Sequence, residues 1–289
     1  MVYSDDRGSN RGDIREGEDK RKERMRKEVR EVNPFHLVDE SPWPVVVAMG
    51  VLGVTTGGVE YMHGYGGKGT MIIGIIVMGM GVYVWMRDIV REGTYEGQHT
   101  SIVQRGLRTG MMLFIISEVF FFVAFFWGYF WAALAPTVEI GSVWPPKGIE
   151  VMNAWGIPLL NTMILLTSGA SITWAHHGIV VGSRTNTIWG LIITIGLGIW
   201  FTGLQAYEYV EAGFEISDGI YGSTFFLTTG FHGMHVIVGT IMIIVTTIRV
   251  WRYEMTREHH FGLEASAWYW HFVDVVWLGL FVSIYWWGG

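Results

Sequence analysis

Long uncharged stretches alternate with short polar ones along most of the chain. A helix rises 1.5 Å per residue, so roughly 20 apolar residues cover a ~30 Å hydrocarbon core. Seven stretches approach or exceed that length: about 45–63, 70–86, 109–135, 157–181, 187–207, about 219–248 and 265–287. The first is the weakest and has Glu60 near its end, while the third and seventh are interrupted only by Glu118 and Asp274. Backbone groups in lipid must be satisfied within their own segment, which predicts helices rather than strands. Helix breakers fall between the stretches, at Gly64-Tyr-Gly-Gly67 and Trp144-Pro-Pro-Lys-Gly148. Pro158 suits the first turn of the fourth. The predicted fold class is all-α: a polytopic membrane protein with seven transmembrane helices.

Charge refines this picture. Only 16% of residues are charged, against about 25% in soluble domains. Residues 1–32 hold ten of the twenty Lys and Arg and nine of the twenty-six Asp and Glu. No apolar run follows these charges, so they do not read as a signal peptide, and the acids argue against a transit peptide. Residues 1–33 are therefore read as a solvated arm, helical in part or disordered. With seven spans, the N-terminus and loops 2–3, 4–5 and 6–7 share one side. Beyond the arm they carry Arg87, Arg91, Arg105, Arg108, Arg184, Arg249, Arg252 and Arg257, while the other side carries only Lys68 and Lys147. The excess of basic residues places the N-terminus in the matrix or cytoplasm. The acidic residues Glu208, Glu211, Glu215 and Asp218, expected in the loop between spans 5 and 6, agree. No basic patch sits on a soluble face, which argues against nucleic acid binding. The absence of cysteine excludes disulfides, thiolate metal sites and iron–sulfur clusters.

Polar groups inside the spans are expensive and each asks for a reason. Glu118 lies among Phe114, Ile115, Phe121 and Phe122 at helical spacing. It reads either as a proton-exchanging carboxyl or as a neutral hydrogen-bonding group that joins two helices. His232 and His235 stand one turn apart in span 6. Glu264, Trp268, His271 and Val275 share a face of span 7, with Asp274 at its edge. These suggest a polar seam of His232, His235, His271 and Asp274 between spans 6 and 7, built from hydrogen bonds and carrying no chemistry. Gly50, Gly53 and Gly57 permit close helix packing in span 1. The histidines at 176–177, 259–260, 232, 235 and 271 raise the alternative of a di-iron membrane oxygenase. Such enzymes use boxes of the type His-x(2–4)-His-His, and neither His-His pair here has a histidine three to five residues upstream. A transporter coupled through Glu118 should show paired internal repeats, and the sequence has none. No metal site is assigned.

Ser41-Pro-Trp-Pro44, Trp85-Met-Arg-Asp88, Gly97-Gln-His-Thr100, Ser117-Glu-Val-Phe-Phe121, Trp144-Pro-Pro-Lys-Gly-Ile149 and Thr173-Trp-Ala-His-His177 resemble the cytochrome c oxidase subunit III family. So do Tyr221-Gly-Ser-Thr-Phe-Phe226, Gly230-Phe-His-Gly-Met-His235 and the tail from Ala267 to Gly288, in order, from about Phe35 to Gly289. The variant of the motifs looks mitochondrial. The resemblance implies two bundles, of two helices and five, around a V-shaped cleft that holds phospholipid; this divides the chain into 1–33, 34–95 and 96–289. It implies a multi-pass protein of the mitochondrial inner membrane that lacks a redox centre. Haem a and copper would sit in partner subunits I and II, with accessory subunits beside them. Its implied role is to stabilise subunit I and assist proton uptake within a complex that couples electron transport to proton pumping. The cleft implies a headgroup site in which Arg91 and Arg249 pair with a phosphate. His99 would donate a further bond, Glu92 would orient Arg91, and Tyr83 and Trp85 would lie against the acyl chains. Three departures stand out: the added arm, Met86 where the family commonly has Trp, and Trp131-Ala-Ala where it often has His-Ser-Ser.

Overall fold

The computed structural model describes residues 34–288. The arm at 1–33, and its reading as a solvated segment, lie outside the described residues. Among the described residues, seven helices are long and apolar enough to cross a membrane. They are α1 (Trp43–Met62), α2 (Lys68–Thr94), α3 (Ser101–Leu134), α4 (Ile157–Val181), α5 (Arg184–Glu211), α6 (Gly219–Trp251) and α7 (Phe261–Leu280). The last continues as a π-helical segment, Phe281–Trp286, and a short 3₁₀ turn at Val138–Ile140 follows α3. There is no strand among the described residues.

Each expected span coincides with a helix, and several helices outrun theirs. α2 continues past Met86 to Thr94, and α3 begins at Ser101 rather than Thr109. Hydropathy marks where lipid ends, whereas backbone hydrogen bonding continues wherever side chains permit it. Arg87, Asp88, Arg91 and Glu92 are compatible with a helix in water, and they prolong α2 beyond the apolar run. α5 likewise runs to Glu211, so Glu208 belongs to a helix and not to the loop in which the charge pattern put it.

Contacts divide the chain into two compact units, one ending at Arg105 and one beginning at Gly106. In the first, α1 packs along α2. The contact is made by glycines. A β-carbon at Gly50 would lie 2.5 Å from the Met78 backbone nitrogen, and one at Gly74 would lie 2.5 Å from that of Val54. One at Gly57 would collide with the Met71 backbone. The Trp43 indole N–H donates to the Asp88 carboxylate across the pair, at 2.7 Å.

In the second unit α4, α5, α6 and α7 pack in a ring, each against the next and α4 against α7. Trp270 and Trp277 of α7 fill its interior. The Trp270 N–H donates to Ser168 of α4 at 2.8 Å, and its six-membered ring lies against Gly198 of α5 and Gly239 of α6. The Trp277 N–H donates to Thr162 of α4 at 2.9 Å, and its ring meets Phe201 edge-on at 4.8 Å. α3 joins α6 and α7 through long side chains, among them Phe121 on Phe231 and Phe114 stacked on Tyr269.

Candidate functional site

The intramembrane polar residues of the second unit form several short links. Glu118, the one acidic residue of α3, meets His235 of α6, whose Nε2 lies 2.9 Å from Oε2 of the carboxyl. The other ring nitrogen, Nδ1, is 2.6 Å from the Phe231 carbonyl one turn back. A carbonyl only accepts, so Nδ1 carries a hydrogen. Nε2 and a carboxylate oxygen would then be two acceptors face to face unless a proton lies between them. The pair therefore holds one proton on that axis, as a carboxylic acid on neutral imidazole or as a carboxylate on imidazolium. Phe121, Phe122 and Phe272 enclose the imidazole, with Phe122 at 5.0 Å. Such a pair can take up a proton and pass it on, and it also ties α3 to α6.

The proposed seam is dispersed. His232 does bridge α6 to α7, with Nε2 3.2 Å from the Val273 carbonyl. His235 turns to α3 instead. His271 reaches α4, where its Nε2 is 3.1 Å from the Thr173 hydroxyl. Asp274 lies 3.8 Å from His271 and faces Gly169 of α4, so closely that a β-carbon there would sit 2.5 Å from its Oδ2. The period of α7 carries these residues around the helix, and two of the four reach α4 and not α6.

At the end of the ring near the chain's arginines, Arg108 of α3 holds Glu264 of α7 in a two-pronged ion pair, at 2.7 and 3.2 Å. His260, the cap residue of α7, lies 3.5 Å from the same carboxylate. His176 of α4 stacks obliquely on His260 at 5.8 Å. Sequence reasoning set these histidines aside because box spacing failed. The fold brings together one histidine from each His-His pair, which linear spacing has no means of showing.

Buried polar groups toward the far end were missed altogether. Gln205 and Glu208 stand one turn apart on α5 and are 4% and 3% exposed. They lie beside Tyr285, and no bond of normal geometry satisfies their side chains or its hydroxyl. Tyr209 and Thr229 share a hydroxyl bond of 2.7 Å nearby. The only signal in the sequence was an acid at the edge of a span, which the charge pattern absorbed.

The residues assigned to a lipid headgroup are divided between the units. In the first, Arg91 pairs with Glu96 at 3.1 Å and not with Glu92. Glu92 instead faces His36 at 3.8 Å, and His99 meets the His36 ring edge-on at 6.0 Å. The chain reverses after Thr94, with the Tyr95 and Glu96 N–H groups on the Arg91 carbonyl, and this returns Glu96 to Arg91. Tyr83 is 71% exposed and Trp85 partly so. In the second unit Arg249 closes α6 and pairs with Glu254 at 3.3 Å.

Seven apolar helices, with polar groups linked across the interior, define an integral α-helical membrane protein. Residues 33–289 match the family described as Cytochrome c oxidase subunit III. Cytochrome c oxidase subunit 3 of Marchantia polymorpha is 60% identical over 264 residues, covering 90% of this chain and 99% of that protein. The subunit 3 proteins of Prototheca wickerhamii and Ornithorhynchus anatinus are 61% and 56% identical, each over 258 residues and 98% of its own length. The chain belongs to the cytochrome c oxidase subunit III family.

Proposed function

We infer that this chain acts as the third, non-redox subunit of a cytochrome c oxidase complex, beside subunits I and II, in the mitochondrial inner membrane. The observation that carries the reading is the family match over residues 33–289, which includes every helix among the described residues. The surplus of arginine on one set of loops supports a matrix-side N-terminus. In this role the chain stabilises the catalytic subunit, and the proton held between Glu118 and His235 supplies an exchangeable group inside the membrane. In this role residues 34–95 form a two-helix bundle and residues 96–289 a five-helix bundle. Phospholipid is the natural ligand of the first unit, where Arg91 and His99 offer donors to a phosphate and the exposed Tyr83 ring and Trp85 offer apolar faces. Arg249 supplies a second, separate cation for a headgroup.

Affinity purification of the chain from native membranes, followed by native electrophoresis with haem and copper analysis, tests the reading. The chain should run in one stoichiometric complex that holds both. A chain that runs alone with bound iron would overturn the reading in favour of the histidine-box oxygenase.

A further inference from the structure

We propose that His176, His260 and Glu264 form a binding site for a divalent cation of the zinc class, at the end of the second unit that carries the arginines. Each residue offers one ligand atom, a ring nitrogen or a carboxylate oxygen, and the three atoms lie within 4.8 Å of one another. The three come from α4 and from α7 with its cap, so their meeting is a product of the fold and not of one acidic run.

The chemistry of each donor is already set. His260 precedes α7 in a tight turn, closed by the His259 N–H on the Thr256 hydroxyl at 3.1 Å. Its Nδ1 lies 3.2 Å from the Thr256 carbonyl, so Nδ1 carries the hydrogen and Nε2 presents a lone pair when the ring is neutral. A ligating histidine almost always has its second nitrogen on a backbone carbonyl or carboxylate, and this one has it before any metal arrives. The Nε2 of His176 is buried without a hydrogen-bond partner, an expensive condition that a metal would relieve. Glu264 is the third donor, and Arg108 fixes its plane by donating to both oxygens.

Distances separate this cluster from the pair at Glu118. There, nitrogen and oxygen stand 2.9 Å apart, a proton's separation. Between His260 and Glu264 they stand 3.5 Å apart, too long for a good charged hydrogen bond. Metal–ligand bonds near 2.0–2.1 Å in a tetrahedron put neighbouring donors about 3.3 Å apart. The His260–Glu264 separation already suits that geometry. Two imidazoles and one carboxylate, with the fourth position left for water, are a donor set that zinc accepts. Thiolate-seeking and all-oxygen cations are disfavoured. Arg108 beside the carboxylate opposes the cation's charge, so the site should bind reversibly and not hold zinc through purification. Occupancy would clamp the ends of α4 and α7 and, through Arg108, the start of α3.

The test is zinc titration of the purified, chelator-washed complex that contains this chain, against a competing fluorescent chelator. His176→Ala and His260→Gln should each remove one equivalent of zinc relative to the wild type. His177→Gln and His259→Gln, at the exposed neighbours, should keep it. Equal uptake by wild type, His176→Ala and His260→Gln would overturn the site and leave His260–Glu264 as an ion pair. A second measurement needs no variant: anomalous diffraction at the zinc edge from soaked crystals of the wild-type complex. A peak among the three donors is expected. No peak there, in crystals whose other zinc sites have filled, would also overturn the proposal.

Discussion

In the unit of α1 and α2 the helices meet where side chains are missing, whereas in the unit from Gly106 onward large side chains fill an interior, although α4 and α5 also approach backbone to backbone at Gly178 and Gly190. Lipid tails are as apolar as leucine, so burying apolar surface does not by itself drive helices together in a bilayer. Two other sources remain: close van der Waals contact and interhelical hydrogen bonds. A helix pair has no enclosed interior. Gly50, Gly57 and Gly74 let its backbones touch directly, and most of its aliphatic side chains, such as Met49, Ile72, Ile76 and Met80, point outward. A ring of four helices does enclose an interior, and that interior must be filled. Trp270, Trp277, Phe201 and Phe225 fill it. Where an aromatic edge needs room, the glycine stands opposite a ring and not opposite a backbone, as at Gly198 and Gly239. The first unit should therefore be sensitive to added volume and the second to removed volume.

The largest effect is expected from Trp270→Ala. It opens a cavity between four helices and leaves the Ser168 hydroxyl without its indole partner. Large-to-small changes of this kind cost about 3–5 kcal/mol in well-packed cores. The measurement is release of the chain from the purified complex with rising detergent denaturant. Trp270→Phe should lose less, since it keeps most of the ring. Release of both variants at the wild-type midpoint would mean that the ring of helices is not held by its filling.

Next in size is the reverse experiment in the first unit. Gly57→Ala adds one methyl against the Met71 backbone, which cannot rotate away as a side chain can. Overpacking typically costs about 1–3 kcal/mol. Gly58→Ala, one residue on, meets nothing within 4 Å and should be neutral or slightly stabilising. A protease-protection or thermal-release assay that ranks Gly58→Ala below Gly57→Ala would break the contrast between the units.

Much of this contrast was legible in the residue pattern, for reasons that differ between its parts. The seven spans were readable because lipid imposes one length and excludes charge. The small-residue face of α1 was readable because Gly50, Gly53 and Gly57 repeat at helical spacing. The counterpart at Gly74 was not, since its importance depends on which turn of α2 meets α1. Glu118 was recognisable as costly, but its partner His235 lies 117 residues away and only the packing of α3 on α6 selects it. Asp274 and His271 were assigned to α6 and face α4, because a periodicity names a face and leaves the neighbour unstated. Glu208 was hidden by its position at a helix end, where an acid is ordinarily solvated.

The smallest expected effect concerns the link between Glu118 and His235, and it separates what the pair holds from what it does. Hydrogen bonds between membrane helices contribute about 0.6 kcal/mol on average and at most about 1.7. Glu118→Leu should therefore cost no more than that, far less than Trp270→Ala, because the unfolded helix in lipid also finds partners. Glu118→Gln should cost less still. Its amide N–H can donate to Nε2 of a neutral His235, while Nδ1 keeps its bond to the Phe231 carbonyl. The connection between α3 and α6 then survives, but the proton between oxygen and nitrogen is gone. A double-mutant cycle with His235→Phe measures the coupling, and it should vanish when either partner is apolar. Infrared difference spectra of the complex, taken across a pH change, measure the proton. Glu118→Gln should erase one carboxyl signal while the denaturation midpoint moves little. If the midpoint falls as far as in Trp270→Ala, the pair is a structural tie on which the second unit depends. If the carboxyl signal persists, the exchangeable proton belongs to another group.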